Sequence, residues 1–458
     1  MKTSILLASA GALIASAMAG EGVSYKIHGQ AWTQAGRIMQ ASDTALYDGN
    51  TTLDVNGTTM QSLGGQVRID ADLGERWKGA FGIGVYQISH SLGSLNGSTE
   101  YPNFFSVSMF RPFIAQANLT YSVGDVARPW LSITAGNFAY NYNPDVKDLG
   151  LYLLRGPVYP GILMSGFQEF DTDTTKGAQT GFKVHNDFGK FSQDLLFLNE
   201  QSLPPTFDWS LAYVAKYQAS KALTVGAGVN FYRLIPYSAQ LETPGHLPLA
   251  AQDGAPNFDT TGVGAGGDTV FYTHQGVKVM AMFTLDPKPW LPFSHMGAED
   301  FKVYGEGAII GVQNYGSFYD DVFERIPLMV GFNVPTFGFL DMLSLEMEWY
   351  GSPYKNDLGH IGYPSNVVAP WQNPGFGTPS PTPAMAGSYP DSTADNLKWA
   401  VFVQKTVSKH VRFTVQIAND HYRPTPLSKD FTNSAGGTLA VLSRPGDWYF
   451  MGRIGFFF

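Results

Sequence analysis

The strongest constraint on this chain is a period of two. Stretches of about ten residues put apolar side chains at every second position, which is strand spacing. Val67, Ile69, Ala71 and Leu73 interleave with Gln66, Arg68, Asp70 and Asp72; after Gly74, Glu75 and Arg76 the pattern resumes at Trp77, Gly79, Phe81, Ile83 and Val85. The same alternation runs through Leu223, Val225, Ala227, Val229 and Phe231, and again through Val411, Phe413, Val415 and Ile417. Extended backbone sends successive side chains to opposite faces, so each stretch has one apolar face and one small or polar face.

Alternation alone does not say which face is wet, because a soluble sandwich alternates too. Connection lengths discriminate. Those at 74–76, 124–129, 186–189, 219–221, 336–341 and 407–409 are short, and between them lie the long connections 39–61, 91–109, 139–175, 235–267, 352–395 and 422–446. The segment 287–299 is longer than a turn needs, and 200–207 is a short loop. Turns at one end and loops at the other are the pattern of a transmembrane barrel. Trp77 and Trp130 follow short turns, while Trp209, Trp349, Trp399 and Trp448 border longer loops, which suits two interfacial aromatic belts. Charged residues make up only 15% of the chain and aromatics 14%, so something other than water faces part of the surface.

The chain parses into sixteen such segments: 23–38, 62–73, 77–90, 110–123, 130–138, 176–185, 190–199, 208–218, 222–234, 268–285, 300–313, 326–335, 342–351, 396–406, 410–421 and 448–458. Fourteen or eighteen strands stay open. An even count brings the first and last strands' outer ends to one side, where every short turn also falls. Sixteen strands enclose enough space for an aqueous channel.

Residues 1–19 read as an export signal: Lys2, an apolar run over 5–17, and the small-x-small site Ala17-Met18-Ala19. That leaves 20–458 as a single barrel domain. No later stretch is long and apolar enough for a transmembrane helix. Cysteine is absent, which excludes disulfides, thiolate metal sites and cysteine nucleophiles. With 29 basic against 38 acidic residues, a net charge of -9, a nucleic-acid partner is not expected.

In the final segment Trp448, Phe450, Ile454, Phe456 and Phe458 share one face, and the last residue is phenylalanine. This resembles the carboxyl-terminal strand signature of Gram-negative outer-membrane barrels. Together with the features above, the chain resembles the porin-type outer-membrane barrels. The resemblance implies an all-β, transmembrane, antiparallel up-and-down barrel with short periplasmic turns and long extracellular loops. It also implies a terminal strand read by the barrel assembly machinery, outer-membrane lipid around the wall, and homotrimers, which are common among similar barrels. The implied activity is passive diffusion of small hydrophilic solutes or ions through a charged constriction, with no cofactor. In such barrels the third extracellular loop folds into the lumen. Here the third long connection, 139–175, is the candidate, with Asp145, Lys147, Asp148 and Arg155 near the eyelet; a turn capping the outer rim is the alternative.

On the wall, Lys26, Arg68, Arg412 and Arg453 take inward positions on strands that become neighbours when the barrel closes, and Glu306, Glu346 and Glu348 face inward several strands away. Opposed charges across a pore focus a transverse field. Asp70, Asp72 and Asp420 blur the separation, and charges that merely keep the interior wet are the plainer reading. Loop aromatics Tyr140, Tyr142, Tyr152, Tyr159 and Trp371 could form a sugar-stacking track, or only pack.

Other chemistry is thin. Hydrolase, metalloprotease and phosphate-loop motifs are missing. The glycine-rich run 262–267 has no helix after it, Asp171-Thr172-Asp173 lacks the closing glutamate of a calcium loop, and the nine histidines show no ligand spacing. No catalytic residue, cofactor or metal is expected. The competing classes are a structural or adhesive barrel with surface-binding loops and, further off, a barrel-borne hydrolase with a Ser, His and acid set at its rim.

Overall fold

The structure, a computed structural model, describes residues 23–40, 45–46, 52–53, 56–57, 59–91, 106–154, 177–201, 207–235, 261–263, 269–271, 276–291, 295–312, 322–350, 397–419 and 446–458. The expectations for residues 1–19, Arg155, Tyr159, 171–173, Trp371 and Asp420 fall outside them, as does most of the glycine-rich run.

Sixteen antiparallel strands form one closed barrel in chain order: β1 Val23–Gln40, β2 Thr59–Leu73, β3 Trp77–Ser91, β4 Ser106–Gly124, β5 Pro129–Tyr140, β6 Gly177–Asp187, β7 Phe191–Asn199 and β8 Trp209–Gln218. The second half is β9 Leu223–Ile235, β10 Gly276–Leu285, β11 Val303–Ile309, β12 Pro327–Asn333, β13 Met342–Tyr350, β14 Leu397–Ser408, β15 Val411–Asn419 and β16 Trp448–Phe457. The ring closes between β1 and β16, with Gln30 opposite Phe457 and Gly36 opposite Met451. Gly29 and Phe458 then exchange N–H···O bonds of 2.7 and 2.9 Å at the end of that seam. Closure leaves no unpaired edge in the barrel sheet. Two small ribbons, Ala45–Leu46 with Thr52–Leu53 and Thr261–Val263 with Thr269–Phe271, form separate sheets.

The burial pattern is inside out. Along β13, Leu345, Met347 and Trp349 are 41%, 56% and 48% exposed, whereas Ser344, Glu346 and Glu348 between them are 0%, 2% and 2% exposed. The outward row continues on neighbouring strands with Leu328 and Val330, and across the seam with Phe413, Phe450 and Phe456. Burying one such side chain is worth roughly 1.5–3 kcal/mol. A wall of them facing outward is stable against hydrocarbon, not water, so the strands span a membrane.

The number and order of strands match the sequence parse; most boundaries move by a few residues, and two segments change substantially. The tenth segment divides into the ribbon strand at Thr269–Phe271 and β10, and the eleventh contracts to Val303–Ile309. The later start of β11 has its cause in the connection before it. Phe301 takes φ +65°, and the buried Asp300 carboxylate accepts from the N–H groups of Gly297, Thr336 and Phe337 at 2.9, 3.1 and 3.0 Å. The chain at 297–301 therefore turns instead of extending, and it ties two short-end connections together. Burial works against ionisation of Asp300, but these donors outweigh it and hold the carboxyl below its ordinary value.

Candidate functional site

The connection after β5 enters the barrel. Its described part, residues 141–154, crosses to the inner faces of β9 to β13; β13 stands eight strands from β5 in a ring of sixteen, halfway round. Val146, Leu149, Leu151, Leu153 and Leu154 are at most 2% exposed, and they share an apolar cluster with Leu196 and Leu198 of β7, Met280 and Met282 of β10 and Met329 of β12. A packed core thus sits inside the barrel, between loop and wall. It explains why so apolar a stretch occurs in a connection.

Folding a loop against a wall leaves its backbone polar groups to be satisfied without water. Here the wall supplies carboxylates. Glu346 accepts from the N–H groups of Lys147, Asp148 and Leu149 at 2.7, 2.9 and 2.7 Å. Glu348 takes the N–H of Gly150 at 3.4 Å and the Tyr152 hydroxyl at 2.9 Å. Glu306 takes the N–H groups of Leu151 and Tyr152 at 3.2 and 2.8 Å and the Tyr142 hydroxyl at 2.5 Å. The Tyr142 oxygen in turn accepts from the N–H of Leu153 at 3.1 Å. Every N–H over 147–153 therefore points at a glutamate or at a phenol that a glutamate holds. So concave a run of donors needs left-handed backbone: Gly150 has φ +81° and Leu151 has φ +59°.

Carbonyls on the same segment meet donors from the wall. Asn230 Nδ2 reaches Leu153 O at 2.8 Å and Lys278 Nζ reaches Tyr152 O at 3.3 Å. At the other end, Asp145 accepts from Thr284 Oγ1 at 2.7 Å and pairs with Lys302 at 3.1 Å; Lys302 also pairs with Glu299 at 3.0 Å. Burial opposes the charge on Lys302, but Asp145 and Glu299 outweigh it and hold the ammonium above its ordinary value. The long short-end connection thus reaches up to clasp the loop.

The structure separates the residues singled out from sequence into two groups. Asp145, Lys147, Asp148, Glu306, Glu346 and Glu348 come together in the loop assembly. There the three glutamates, 3%, 2% and 2% exposed, serve as acceptors for the loop backbone. Lys147 is half-buried and bonds Pro144 O at 2.8 Å through its ammonium, while the Asp148 side chain is buried. Lys26, Arg68, Arg412 and Arg453 lie on β1, β2, β15 and β16, four consecutive strands of the closed ring. Arg68 pairs with Asp70 at 2.9 Å, Arg453 Nε donates to Gln34 at 2.8 Å, and the Arg412 guanidinium lies 4.7 Å from the centre of the Phe457 ring. Of the terminal aromatics, Phe450 and Phe456 face outward and exposed, and Phe458 is 74% exposed.

Sequence reading missed Tyr304 and Lys302. The Tyr304 hydroxyl donates to Glu346 at 2.7 Å while sharing a 2.6 Å bond with Ser344. A tyrosine on the polar face of a strand, two strands from the one carrying two glutamates, is the only hint the sequence offers. Elsewhere on the lumen wall, His185 Nδ1 and the Tyr140 hydroxyl meet the Asp194 carboxylate at 2.7 and 3.0 Å, beside Lys183. No cluster of metal-ligating side chains occurs among the described residues.

No protein-family profile and no curated protein matches this chain. Among solved structures it is similar to a mutant of the Rh. blastica porin, at 8% identity over 95% of this chain and 100% of that one, with a TM-score of 0.40. It is also similar to Salmonella typhi OmpF in complex with daunomycin, at 11% identity over 95% and 98%, with a TM-score of 0.45. The strand pairing itself establishes the architecture: a closed antiparallel barrel of sixteen strands in chain order around an inward-folded loop.

Proposed function

We propose that this protein is a passive diffusion channel of a Gram-negative outer membrane, in which the loop 139–175 narrows the lumen for small hydrophilic solutes or ions. The observation that supports this most is the set of backbone bonds from residues 147–153 to Glu306, Glu346 and Glu348. It holds a folded segment inside a barrel whose strand number leaves room for a channel. In this reading the leader 1–19 directs export, the assembly machinery reads the terminal aromatic strand, and the short turns face the periplasm. Homotrimers are expected, by likeness to other barrels of this kind.

The test is single-channel recording in a planar bilayer with residues 146–154 deleted. Conductance should rise several-fold. The deletion also uncovers three carboxylates, so cation preference should rise with it. A barrel that conducts equally with and without the segment is not constricted by it, and a barrel that conducts nothing is a structural or adhesive one.

A further inference from the structure

We propose that the short-turn end of the lumen holds a binding site for small oxyanions, phosphate or carboxylate, between Arg68 and Arg412. A cavity of about 400 Å³ lies there, where β15, β16, β1 and β2 meet, with His28, Lys409 and His410 also on its walls. Its two guanidinium groups are held in different ways. Arg68 Nη2 bonds Asp70 Oδ2 at 2.9 Å, and His28 Nε2 approaches the same oxygen at 3.3 Å. One carboxylate is therefore shared by two bases, and Arg68 Nε is buried without a hydrogen-bond partner. Arg412 lies over the Phe457 ring, which fixes the plane of its fork. His410 Nδ1 contacts Phe457 O at 2.7 Å, which sets the orientation of that imidazole at the mouth. Exposed Lys409 adds a third full cation.

Planar guanidinium forks match the geometry of oxyanions better than that of halides. Among the described residues, Glu306, Glu346 and Glu348 are covered by the loop and Asp145 is paired with Lys302, so these acids are engaged away from the cavity. Asp70, beside the cavity, is the acid that Arg68 and His28 share. The lining brings Arg68, Arg412 and Lys409 to one cavity, which attracts a ligand bearing negative charge. This site refines the channel reading by naming the class of solute it would favour, although the cavity exists whether or not the barrel conducts.

The experiment is equilibrium dialysis of the full-length protein in detergent against radiolabelled inorganic phosphate, and separately against acetate. Saturable binding of either anion is expected, weakened by about tenfold or more in Arg68→Gln and in Arg412→Gln, the loss of a charge-assisted hydrogen bond. Arg412→Lys keeps the charge without the fork and should fall between. Arg128→Gln, at an exposed turn remote from the cavity, should bind like the parent. Non-saturable binding, or binding unchanged in both arginine variants, overturns the site. Bilayer conductance separates the two readings: phosphate binding without conductance defeats the channel alone, and conductance without phosphate binding defeats the site alone.

Discussion

The ring of Tyr304 occupies the space above Gly331 on the neighbouring strand: a Cβ at residue 331 would lie 2.2 Å from the ring carbon Cε2. The missing side chain lets the phenol lie across β12 and reach Glu346. Gly331→Ala should therefore displace Tyr304 and loosen the loop while the barrel still forms, at a cost of ~1–3 kcal/mol for overpacking. Trypsin cleavage after Lys147 in detergent-solubilised protein, compared with the parent, reports the loosening. An equally resistant variant would show that the ring can move without consequence.

Glu346→Gln tests the backbone latch itself. A glutamine offers one acceptor oxygen and an amide nitrogen that faces donors, so at least one of the N–H groups of Lys147, Asp148 and Leu149 is left buried and unsatisfied. Such a group costs ~1–3 kcal/mol. Single-channel traces of the variant should be noisier and of higher mean conductance than the parent. Quiet traces at the parental level would mean that the apolar contacts of Leu149 to Leu154 hold the loop unaided.

Reversal potential in a salt gradient addresses the basic wall. Changing Arg68 and Arg453 to glutamate reverses two charges on β2 and β16, close to the seam. The reversal potential should move toward cations, and the shift should shrink at high salt as screening shortens to about 3 Å at 1 M. An unmoved potential would place these residues off the ion path.

Acid sensitivity should arise in part at Asp300, outside the spanning strands. Its carboxyl titrates below the ordinary value of 3.8 in the folded chain, so it contributes stability above the unfolded value that is lost as pH falls through the folded one. Lowering pH from about 5 to about 2 should reduce the unfolding temperature of the parent more than that of Asp300→Asn. Equal losses in the two proteins would assign the acid response to other carboxylates.

The barrel was legible because hydrocarbon outside and water inside impose a strict alternation on every strand, which a reader of β13 sees as Leu345, Met347 and Trp349 against Ser344, Glu346 and Glu348. The limits of β11 were not, because Asp300 and Phe301 look like strand residues until the turn that engages Thr336 is known. At the site, the sequence located an apolar segment in a connection and three inward glutamates, yet gave no reason to join them. Most of their bonds are to main-chain N–H groups, which every residue but proline carries and which leave no trace in the identity of Lys147, Asp148 or Leu149. The partnership of Lys302 with Asp145 spans 157 positions and is set by closure of the ring.

A grip on main-chain amides has an evolutionary corollary. Since the wall recognises the path of the segment and not its letters, positions such as Lys147 can exchange side chains without releasing the loop, provided Gly150 keeps its turn. Permeability could then be retuned by single substitutions in a frame whose attachment stays constant.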